Sequence, residues 1–309
     1  MRALVTGACG FVGRYLANHL VESGDQVQGT FLIHEPKDVS WESTQLDVSN
    51  FNESYNLIKN FKPQVVYHLA AISFVPEAEE NFSNALVINV GGVNNIARAC
   101  HLLDNKAKIV LISSAEVYGR IKPHDLPISE QTPLNPANNY SLSKLMAELI
   151  APRYEQFHTI SSVIMRPFNH IGPGQDNRFV ASSFAYQLAS IAHGKQEAVI
   201  RVGNLEAKRD FSDVRDIVIA YRLAAEKGSG VYNLGSGVAT PVQSILDELV
   251  KISGLDVKIE QDPARMRASE VPEIRADCTK AYHELGWQTQ RSLSQALSDV
   301  YKYWYDRLF

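Results

Sequence analysis

The first 170 residues alternate between two patterns of apolar positions. Short apolar runs of strand length occur at residues 3–5, 65–67, 109–112 and 162–165. Between these runs, apolar residues recur every three or four positions, as on one face of a helix, and the first such set is Phe11, Val12, Leu16 and Leu20. Strands that alternate with helices in this way predict an α/β fold built on a doubly wound parallel sheet.

The pattern loosens after Pro167. Residues 172–174 are typical of a turn, helical spacing returns near residues 184–192 and 214–225, and residues 231–234 have the character of a further strand. We therefore predict a second, smaller α/β lobe, with the chain crossing between the lobes more than once. The predicted first lobe is 1–168 with 211–236 returning to it, and the predicted second lobe is 169–210 with 237–309.

Composition is that of an ordinary globular protein. Of the 309 residues, 45% are hydrophobic and 21% are charged, so neither disorder nor a fibrous architecture is predicted. The formal net charge is −4 at pH 7, whereas a general nucleic-acid-binding protein usually carries a surplus of basic residues. We expect no nucleic-acid partner, while a local anion-binding site stays open.

The cysteines and the hydropathy favour a cytoplasmic location. Cys9, Cys100 and Cys278 are odd in number and widely spaced, which suits neither a disulfide framework nor a metal cluster. No apolar run approaches the ~20 residues needed to span a bilayer, and the opening segment lacks the features of a signal peptide. We expect no bound metal and no membrane association.

Gly7, Gly10 and Gly13 form a GxxGxxG motif between the first predicted strand and its helix. Glycines at this spacing allow a tight turn and a close approach of the backbone to a pyrophosphate, and the helix N-terminus supplies unpaired N–H groups. The same glycines can also serve a turn and packing alone. We interpret the first lobe as a Rossmann-type dinucleotide-binding domain and the second as the substrate-binding lobe.

The second strand leaves the choice between NAD and NADP open. Its end, residues 29–32, has no acidic residue to hold a ribose 2′-hydroxyl, and no arginine for a 2′-phosphate occurs between Arg14 and Arg98. Asp47 follows the third predicted strand, where it can accept a hydrogen bond from the adenine amino group or cap the next helix. We favour the cofactor contact and expect NAD(P)H of undecided type.

Tyr140 and Lys144 lie four residues apart, so that both side chains share one face of a helix. The lysine ammonium is expected to lower the pKa of Tyr140, which would let the phenol exchange a proton near neutral pH. Ser114 follows the strand at 109–112, at the edge of the sheet where ligands bind, and its hydroxyl can polarise a substrate carbonyl. Alternatively, Tyr140 and Lys144 can be ordinary residues on the surface of a helix, and Ser114 can be a residue that only ends the strand.

These three motifs, in this order, resemble those of the extended short-chain dehydrogenase/reductases, and the likeness covers nearly the whole chain. The resemblance implies a nicotinamide-dependent oxidoreductase in which Ser114, Tyr140 and Lys144 are catalytic. The predicted cofactor-binding residues are Gly7, Gly10, Phe11, Val12, Gly13, Asp47, Val48, Leu69, Ala70, Ala71, Tyr140, Lys144 and Pro167.

Residues 166–175, 202–211 and 262–267 are similar to segments of the GDP-4-dehydro-6-deoxy-D-mannose reductases and, somewhat less, of the GDP-mannose 4,6-dehydratases. The resemblance implies a GDP-linked deoxyhexose substrate. Arginine forks suit its diphosphate, although each arginine can instead form a surface ion pair. The predicted substrate-binding residues are Ser73, Asn169, Val180, Gly203, Asn204, Arg209, Arg267 and Glu270. We expect His68 and His170 to be structural.

The implied reaction is NAD(P)H-dependent reduction of the C4 ketone of GDP-4-dehydro-6-deoxy-D-mannose to GDP-D-rhamnose or its C4 epimer. Tyr140 would donate the proton, Ser114 would bind the same oxygen, and Lys144 would tune Tyr140 and orient the cofactor. The stereochemistry of the product stays open, because it depends on which face of the sugar meets the nicotinamide.

Other functions and the oligomeric state also stay open. Glu116 lies where the resembling dehydratases carry their C5 base, so it joins the candidate catalytic residues, although residues 179–183 lack the lysine of those enzymes. A sugar-nucleotide 4-epimerase would share the same serine, tyrosine and lysine, and a non-catalytic nicotinamide-binding protein would share the fold. We expect a homodimer through helices at 85–103 and 140–156, as is common among similar enzymes.

Overall fold

The computed structural model of the protein describes residues 1–158, 160–266 and 271–309. Strands β1 to β12 are Arg2–Thr6, Gln26–Phe31, Glu42–Gln45, Val65–His68, Lys108–Ile112, Ser162–Pro167, Asn169–Ile171, Val199–Val202, Lys208–Asp213, Gly230–Leu234, Ala239–Pro241 and Lys258–Gln261. Helices α1 to α10 are Phe11–Glu22, Phe51–Phe61, Val75–Glu80, Phe82–Ala85, Gly92–Leu102, Asn139–His158, Val180–Ala192, Val214–Lys227, Val242–Ser253 and Leu293–Leu308. Short 3₁₀ or π-helical turns are Leu86–Gly91, Ala115–Tyr118, Pro123–Asp125, Pro263–Arg265 and Ala281–Leu285.

Seven parallel strands form the main sheet, in the order β3-β2-β1-β4-β5-β6-β10. The predicted doubly wound α/β fold is therefore confirmed. The direction of strand succession reverses between β1 and β4, which opens a crevice at the carboxyl ends of these two strands. The strand predicted at 231–234 is β10, which returns to the main sheet beside β6.

Helices cover both faces of the main sheet, which explains why its central strands are short, continuous apolar runs. On one face, Val5 of β1 packs in a cluster with Leu16 of α1 and Ile217 of α8. On the other face, Leu4 packs with Ile96 of α5. Neighbouring residues of one strand thus enter two different cores, because successive side chains of a strand point to opposite faces.

The remaining elements form a smaller α/β layer with its own core. Strands β7, β9 and β11 form one sheet, β8 pairs with β12, and helices α7, α9 and α10 pack together. Strand β9 crosses the predicted boundary at residue 211, so the return to the first lobe begins only at α8. Leu285 and Trp287 pack in the core of the main sheet. We therefore propose that 214–236 and 281–287 belong to the first lobe.

Asp210 joins the two lobes. Its fully buried carboxylate on β9 accepts hydrogen bonds from Ser236 N and Oγ, both at 2.6 Å, from Gly237 N at 2.9 Å and from Ala276 N at 3.0 Å. The loop after β10 and the segment at Ala276 are thereby tied to β9. A buried carboxylate is stabilised when charge-assisted hydrogen bonds replace its hydration, so this contact holds the lobes in register.

The helix predicted at 85–103 is found as α4 and α5 joined by the π-helical turn Leu86–Gly91. Close packing begins directly after this turn, because a Cβ atom on Gly92 would lie 2.9 Å from Val48 Cγ2. No helix in the described parts of the chain is both long enough and apolar enough to cross a membrane.

Candidate active site

The glycine motif forms a tight turn between β1 and α1. Gly7 has a φ of +71°, and its carbonyl accepts a hydrogen bond from Gly10 N at 3.0 Å. A Cβ atom on Gly13 would lie 2.2 Å from Gly7 O, so only glycine fits there. Gly10 is the N-cap residue of α1 and has no side chain that could accept a hydrogen bond from the first turn. The first backbone N–H groups of α1 are therefore available to bind an anion. These features fit the pyrophosphate of a dinucleotide.

Residues from β4 complete this part of the crevice. Leu69, Ala70 and Ala71 follow β4 directly, and a Cβ atom on Gly7 would lie 3.0 Å from the Ala70 backbone. Thr6 Oγ1 accepts a hydrogen bond from Ala70 N at 3.2 Å. The structure therefore brings most of the predicted cofactor residues together at the ends of β1 and β4, namely Gly7, Gly10, Phe11, Val12, Gly13, Leu69, Ala70 and Ala71.

Asp47 lies on the same edge of the sheet, beyond the end of β3, and is half-buried. Its Oδ1 accepts hydrogen bonds from Ser49 N at 2.9 Å and Ser49 Oγ at 2.7 Å. The residue that caps α2 is Asn50, whose side chain accepts from Asn52 N. Asp47 therefore stabilises a local turn and does not cap α2.

Ser114 and Tyr140 meet at the carboxyl end of β5. Ser114 follows β5, and its Oγ accepts a hydrogen bond from Glu116 N at 3.2 Å, which fixes the start of the turn Ala115–Tyr118. The Ser114 hydroxyl also lies close enough to the Tyr140 phenol to lower its pKa. Two hydroxyl groups thus converge on one point, where together they can bind a single substrate oxygen.

Lys144 lies one helical turn after Tyr140 on α6, as the spacing predicts. Its buried Nζ donates a hydrogen bond of 2.5 Å to Ile112 O at the end of β5. Burial lowers the pKa of Lys144 to about 8, against the opposing effect of the Glu148 carboxylate. Tyr140 and Lys144 together hold the first turns of α6 against the end of β5.

The expected effect of Lys144 on the pKa of Tyr140 is wrong for this structure. Burial raises the pKa of Tyr140 to about 12; the hydrogen bond with Ser114 lowers it, and the charge of Glu116 raises it further. Lys144 does not determine the pKa of Tyr140, because its ammonium is directed to the Ile112 carbonyl and because the phenol has lost its hydration. Tyr140 therefore holds its proton at neutral pH.

A buried polar network lies behind Lys144. Glu148, one further turn along α6, forms a bidentate ion pair with Arg166 of β6 at 2.9 and 2.6 Å. Arg166 Nη1 donates to Tyr118 Oη at 2.9 Å, and Tyr118 donates to Asn233 Oδ1 of β10 at 2.7 Å. Motif analysis missed these residues. Two features of the sequence could have revealed them. Arg166 is a charged residue within the apolar strand 162–167, and Glu148 is an acidic residue four positions after Lys144.

Glu116 lies beside the catalytic hydroxyls. Its Oε2 accepts a weak hydrogen bond from Asn138 Nδ2 at 3.4 Å, and its side chain is half-buried. The effect of its charge on the pKa of Tyr140 shows that the carboxylate faces the site. The structure thus places a third candidate acid/base group with Ser114 and Tyr140.

Two of the predicted substrate residues flank Tyr140. Ile72 packs against Tyr140, which places the exposed Ser73 next to the catalytic helix. The rings of Phe74 and Phe179 meet edge to face at 6.0 Å, and Phe179 precedes Val180, the first residue of α7. Ser73 and Val180 therefore each adjoin one ring of this pair.

Asn169 lies at the same edge of the main sheet as Ser114. It is exposed at the start of β7, and the preceding Phe168 packs in one cluster with Val117 and Tyr118 of the turn that follows Ser114. Because β5 and β6 are neighbouring parallel strands, Ser114 and Asn169 each follow a strand that ends at this edge. Pro167 ends β6 at the same edge of the sheet and is buried.

Helix α7 connects the cleft to the remaining predicted substrate residues. Arg265 Nη1 donates to Ser183 Oγ of α7 at 3.1 Å, and a Cβ atom on Gly203 would lie 2.5 Å from Arg265 O. Asn204 follows Gly203, and its Oδ1 accepts from Glu206 N at 2.9 Å. Arg265 was not among the predicted residues, although it lies within a segment that carried the resemblance.

Arg209 Nη1 donates to Val271 O at 2.8 Å. The last two predicted substrate residues are at positions 267 and 270 of the sequence. Those residues, Arg267 and Glu270, lie outside the described residues.

The two histidines near the crevice have structural contacts. His68 Nδ1 lies 3.0 Å from Thr6 Oγ1, and burial together with the Lys144 charge lowers the pKa of His68 to about 3. His170 Nδ1 lies 3.0 Å from Phe168 O, and its ring stacks on Phe11 at 6.1 Å. Across the described ranges, no group of three or more His, Cys, Asp or Glu side chains could hold a metal ion.

The lowered pKa of Lys144 predicts a pH-dependent stability. The folded chain releases this proton at about pH 8, whereas an unfolded lysine releases it near 10.5. Between these values the unfolded state binds more protons, so the contribution of Lys144 to stability is least below pH 8 and rises with pH through this window. The measurement is urea unfolding of the ligand-free protein from about pH 7 to about pH 10.

Lys144→Met should abolish this rise relative to the wild type. Lys251→Met, at a position that is 81% exposed, serves as the matched control and should leave the rise in place. Equal pH dependence in the wild type and Lys144→Met would contradict the burial of a charged lysine at this position.

Comparison with known proteins covers the full length of the chain. The family model described as GDP-mannose 4,6 dehydratase matches residues 4–300. GDP-6-deoxy-D-mannose reductase from Pseudomonas aeruginosa is 33% identical over 309 residues, which cover 99% of this chain and 98% of that protein. GDP-6-deoxy-D-talose 4-dehydrogenase from Aggregatibacter actinomycetemcomitans is 31% identical, with 98% of this chain and 97% of that protein covered.

A solved structure shares the architecture as well. RMD from Pseudomonas aeruginosa, complexed with NADPH, matches with a TM-score of 0.89 at 30% sequence identity and covers 99% of this chain and 100% of that chain. The match therefore extends over nearly the whole of both chains. On these grounds the chain belongs to the GDP-mannose 4,6 dehydratase family, within the extended short-chain dehydrogenase/reductases.

Proposed function

We propose that this chain is an NAD(P)H-dependent reductase that converts GDP-4-dehydro-6-deoxy-D-mannose to GDP-D-rhamnose or its C4 epimer. The observation that carries the proposal is the convergence of the Ser114 and Tyr140 hydroxyls at the carboxyl edge of a sheet that carries a dinucleotide crevice. The similarity to GDP-6-deoxy-D-mannose reductase supports the choice of substrate.

The roles of the side chains follow from their positions. A reduced nicotinamide bound in the crevice supplies the hydride for the C4 carbon. Tyr140 gives its phenol proton to the C4 oxygen as negative charge develops there, and Ser114 donates a hydrogen bond to the same oxygen. The Lys144 ammonium stabilises the phenolate that remains. The ketone thus gains one hydride and one proton and becomes an alcohol.

The proposed substrate residues divide by the part of the substrate that each would bind. We expect Ser73, Asn169 and Val180 to hold the sugar. We expect Gly203 and Asn204 to bind the guanine, and Arg265, which contacts both Gly203 and Ser183 of α7, to lie near it. Arg209 would bind the diphosphate region, because a dianionic substrate needs a local positive site on an acidic protein.

A second candidate activity is the 4,6-dehydratase, which the position of Glu116 favours. This carboxylate lies beside Tyr140, where it could remove the proton from C5 of a 4-keto sugar. Residues 179–183 lack the lysine that the resembling dehydratases carry, which weighs against it. Intact Ser114, Tyr140 and Lys144 weigh against a non-catalytic nicotinamide-binding protein.

Tyr140→Phe should lower turnover about 10²-fold to 10⁴-fold, the range for loss of a general acid, while cofactor affinity changes little. The assay follows nicotinamide absorbance with freshly prepared GDP-4-dehydro-6-deoxy-D-mannose, with NADH and NADPH in separate reactions. The matched control is Tyr282→Phe, a tyrosine that is 53% exposed and lies away from the cleft, which should keep full activity.

Either of two results would contradict the reductase proposal. The first is full turnover by Tyr140→Phe. The second is conversion of GDP-mannose to its 4-keto-6-deoxy form by the wild type alone, which would establish the dehydratase.

We also propose a homodimer through α5 and α6. The exposed apolar side chains Leu142, Met146 and Leu149 are spaced four and three residues apart on α6, on the surface opposite the buried catalytic face. Tyr154 Oη of α6 donates to Asn94 Oδ1 of α5 at 3.1 Å, so the two helices form one continuous face. A second copy of the chain would cover this stripe and form a four-helix interface.

Leu149→Glu should convert the dimer to a monomer, because a carboxylate in an apolar interface loses its hydration without gaining a partner. Light scattering coupled to gel filtration measures the mass. Val238→Glu is the control, since Val238 is 59% exposed but lies outside α5 and α6. A wild type that runs as a monomer, or a Leu149→Glu variant that stays dimeric, would contradict this interface.

The proposed location is the cytoplasm. Cys9, Cys100 and Cys278 are free thiols, as expected in a reducing compartment.

A further inference from the structure

Helix α1, which follows the glycine turn, contacts the second lobe through two aromatic side chains. Phe11, the first residue of α1, stacks on His170 with the ring centroids 6.1 Å apart and an angle of 7° between the ring planes. Tyr15, one helical turn later, donates a hydrogen bond from Oη to Pro173 O at 2.8 Å. The rings of Phe11 and Tyr15 also meet edge to face at 5.8 Å. The start of α1 thus contacts residues 170–175, which we call the bridging segment.

The bridging segment packs closely against the first lobe. A Cβ atom on Gly172 would lie 3.6 Å from Phe11 Cζ, which is ordinary van der Waals contact, and 2.6 Å from Val214 Cγ1 of α8, which is too close. Ring pairs at these separations and hydrogen bonds to a carbonyl both depend on orientation. The position of the bridging segment is therefore tied to the position of the first turns of α1.

The bridging segment is also bonded to the elements that carry the proposed sugar residues. Gln175 Nε2 donates a hydrogen bond to His170 O at 2.9 Å, which holds the two ends of the segment together. Ser182 Oγ of α7, which is fully buried, donates to Gln175 O at 2.6 Å. Asn169 directly precedes the segment on β7, and Val180 is the first residue of α7. Both proposed sugar residues are thus positioned by the same segment.

One continuous set of contacts therefore joins the dinucleotide site to the sugar site. A pyrophosphate at the N-terminus of α1 would restrain the first turn of this helix, which carries Phe11. The ring stack on His170 and the hydrogen bond from Tyr15 would restrain the bridging segment in turn. Coupling between two sites is reciprocal, so a sugar nucleotide that orders this segment would also strengthen dinucleotide binding.

We propose that Phe11, Tyr15 and His170 are positioning residues that couple the dinucleotide site to the sugar site. Binding of the dinucleotide orders the bridging segment, and the ordered segment places Asn169 and Val180 before the sugar nucleotide binds. This inference rests on the proposed function in taking a dinucleotide at the glycine turn and in taking Asn169 and Val180 as residues that hold the sugar.

Hydrogen–deuterium exchange of the protein alone, with NADP⁺ and with NAD⁺ tests the coupling, with no sugar nucleotide present. In the wild type, the dinucleotide should slow amide exchange about fivefold or more both at residues 7–13 and at residues 169–183. Tyr15→Phe should reduce the slowing at 169–183 by about half or more, and Tyr15→Phe combined with His170→Leu should abolish it. Both variants should keep the slowing at 7–13, which also shows that they are folded. Because the readout is the difference between bound and free protein, a general loss of stability does not produce this result.

Tyr232→Phe is the matched control, because Tyr232 Oη donates to Glu284 Oε2 at 2.6 Å and accepts from Ser229 N near the start of β10, at the opposite edge of the main sheet. It should leave the slowing unchanged in both regions. Slowing at 7–13 but not at 169–183 in the wild type, or undiminished slowing at 169–183 in both variants, would overturn the inference. Since no sugar is present, either result leaves the reductase assignment intact, and failure of the reductase assay leaves a measured coupling intact.

Discussion

The buried ion pair between Glu148 and Arg166 is the interaction on which the placement of the catalytic groups depends. Both side chains are about 5% exposed or less, and removing one partner of such a pair typically costs about 3–5 kcal/mol. The pair fixes α6 to β6, while Lys144 fixes the same helix to the end of β5. Lys144 and Tyr140 lie one and two helical turns before Glu148 on α6, so the tyrosine reaches Ser114 at the end of β5.

Burial sets the chemistry of the site as much as its geometry does. The same desolvation lowers the pKa of Lys144 to about 8 and raises that of Tyr140 to about 12. Each group is shifted towards its neutral form. A tyrosine that holds its proton is ready to donate it to a developing alkoxide, which is the need of a reduction. Glu116 adds to this shift, so a residue that suggested a dehydratase from its position also helps to keep the proton on Tyr140.

Periodicity and motif spacing predicted much of the fold and the centre of the site. The apolar runs at 3–5, 65–67, 109–112 and 162–165 became central strands because both of their faces are covered by helices. The spacing of Tyr140 and Lys144 was sufficient because a helix fixes it locally. The pairing of Glu148 with Arg166 was not predicted, since it depends on the packing of α6 against β6. The pKa of Tyr140 was predicted in the wrong direction, because spacing reveals a neighbouring charge but not the loss of water.

Transfer of deuterium from the cofactor tests the central claim most directly. The protein is incubated with nicotinamide dinucleotide that carries deuterium at the transferable position of the reduced ring and with GDP-4-dehydro-6-deoxy-D-mannose, and the product is analysed by NMR. The account predicts one deuterium at C4 of the GDP-linked deoxyhexose and none elsewhere. A product without deuterium at C4 would contradict the assignment of Tyr140 and Ser114 as the groups that serve reduction of this carbonyl.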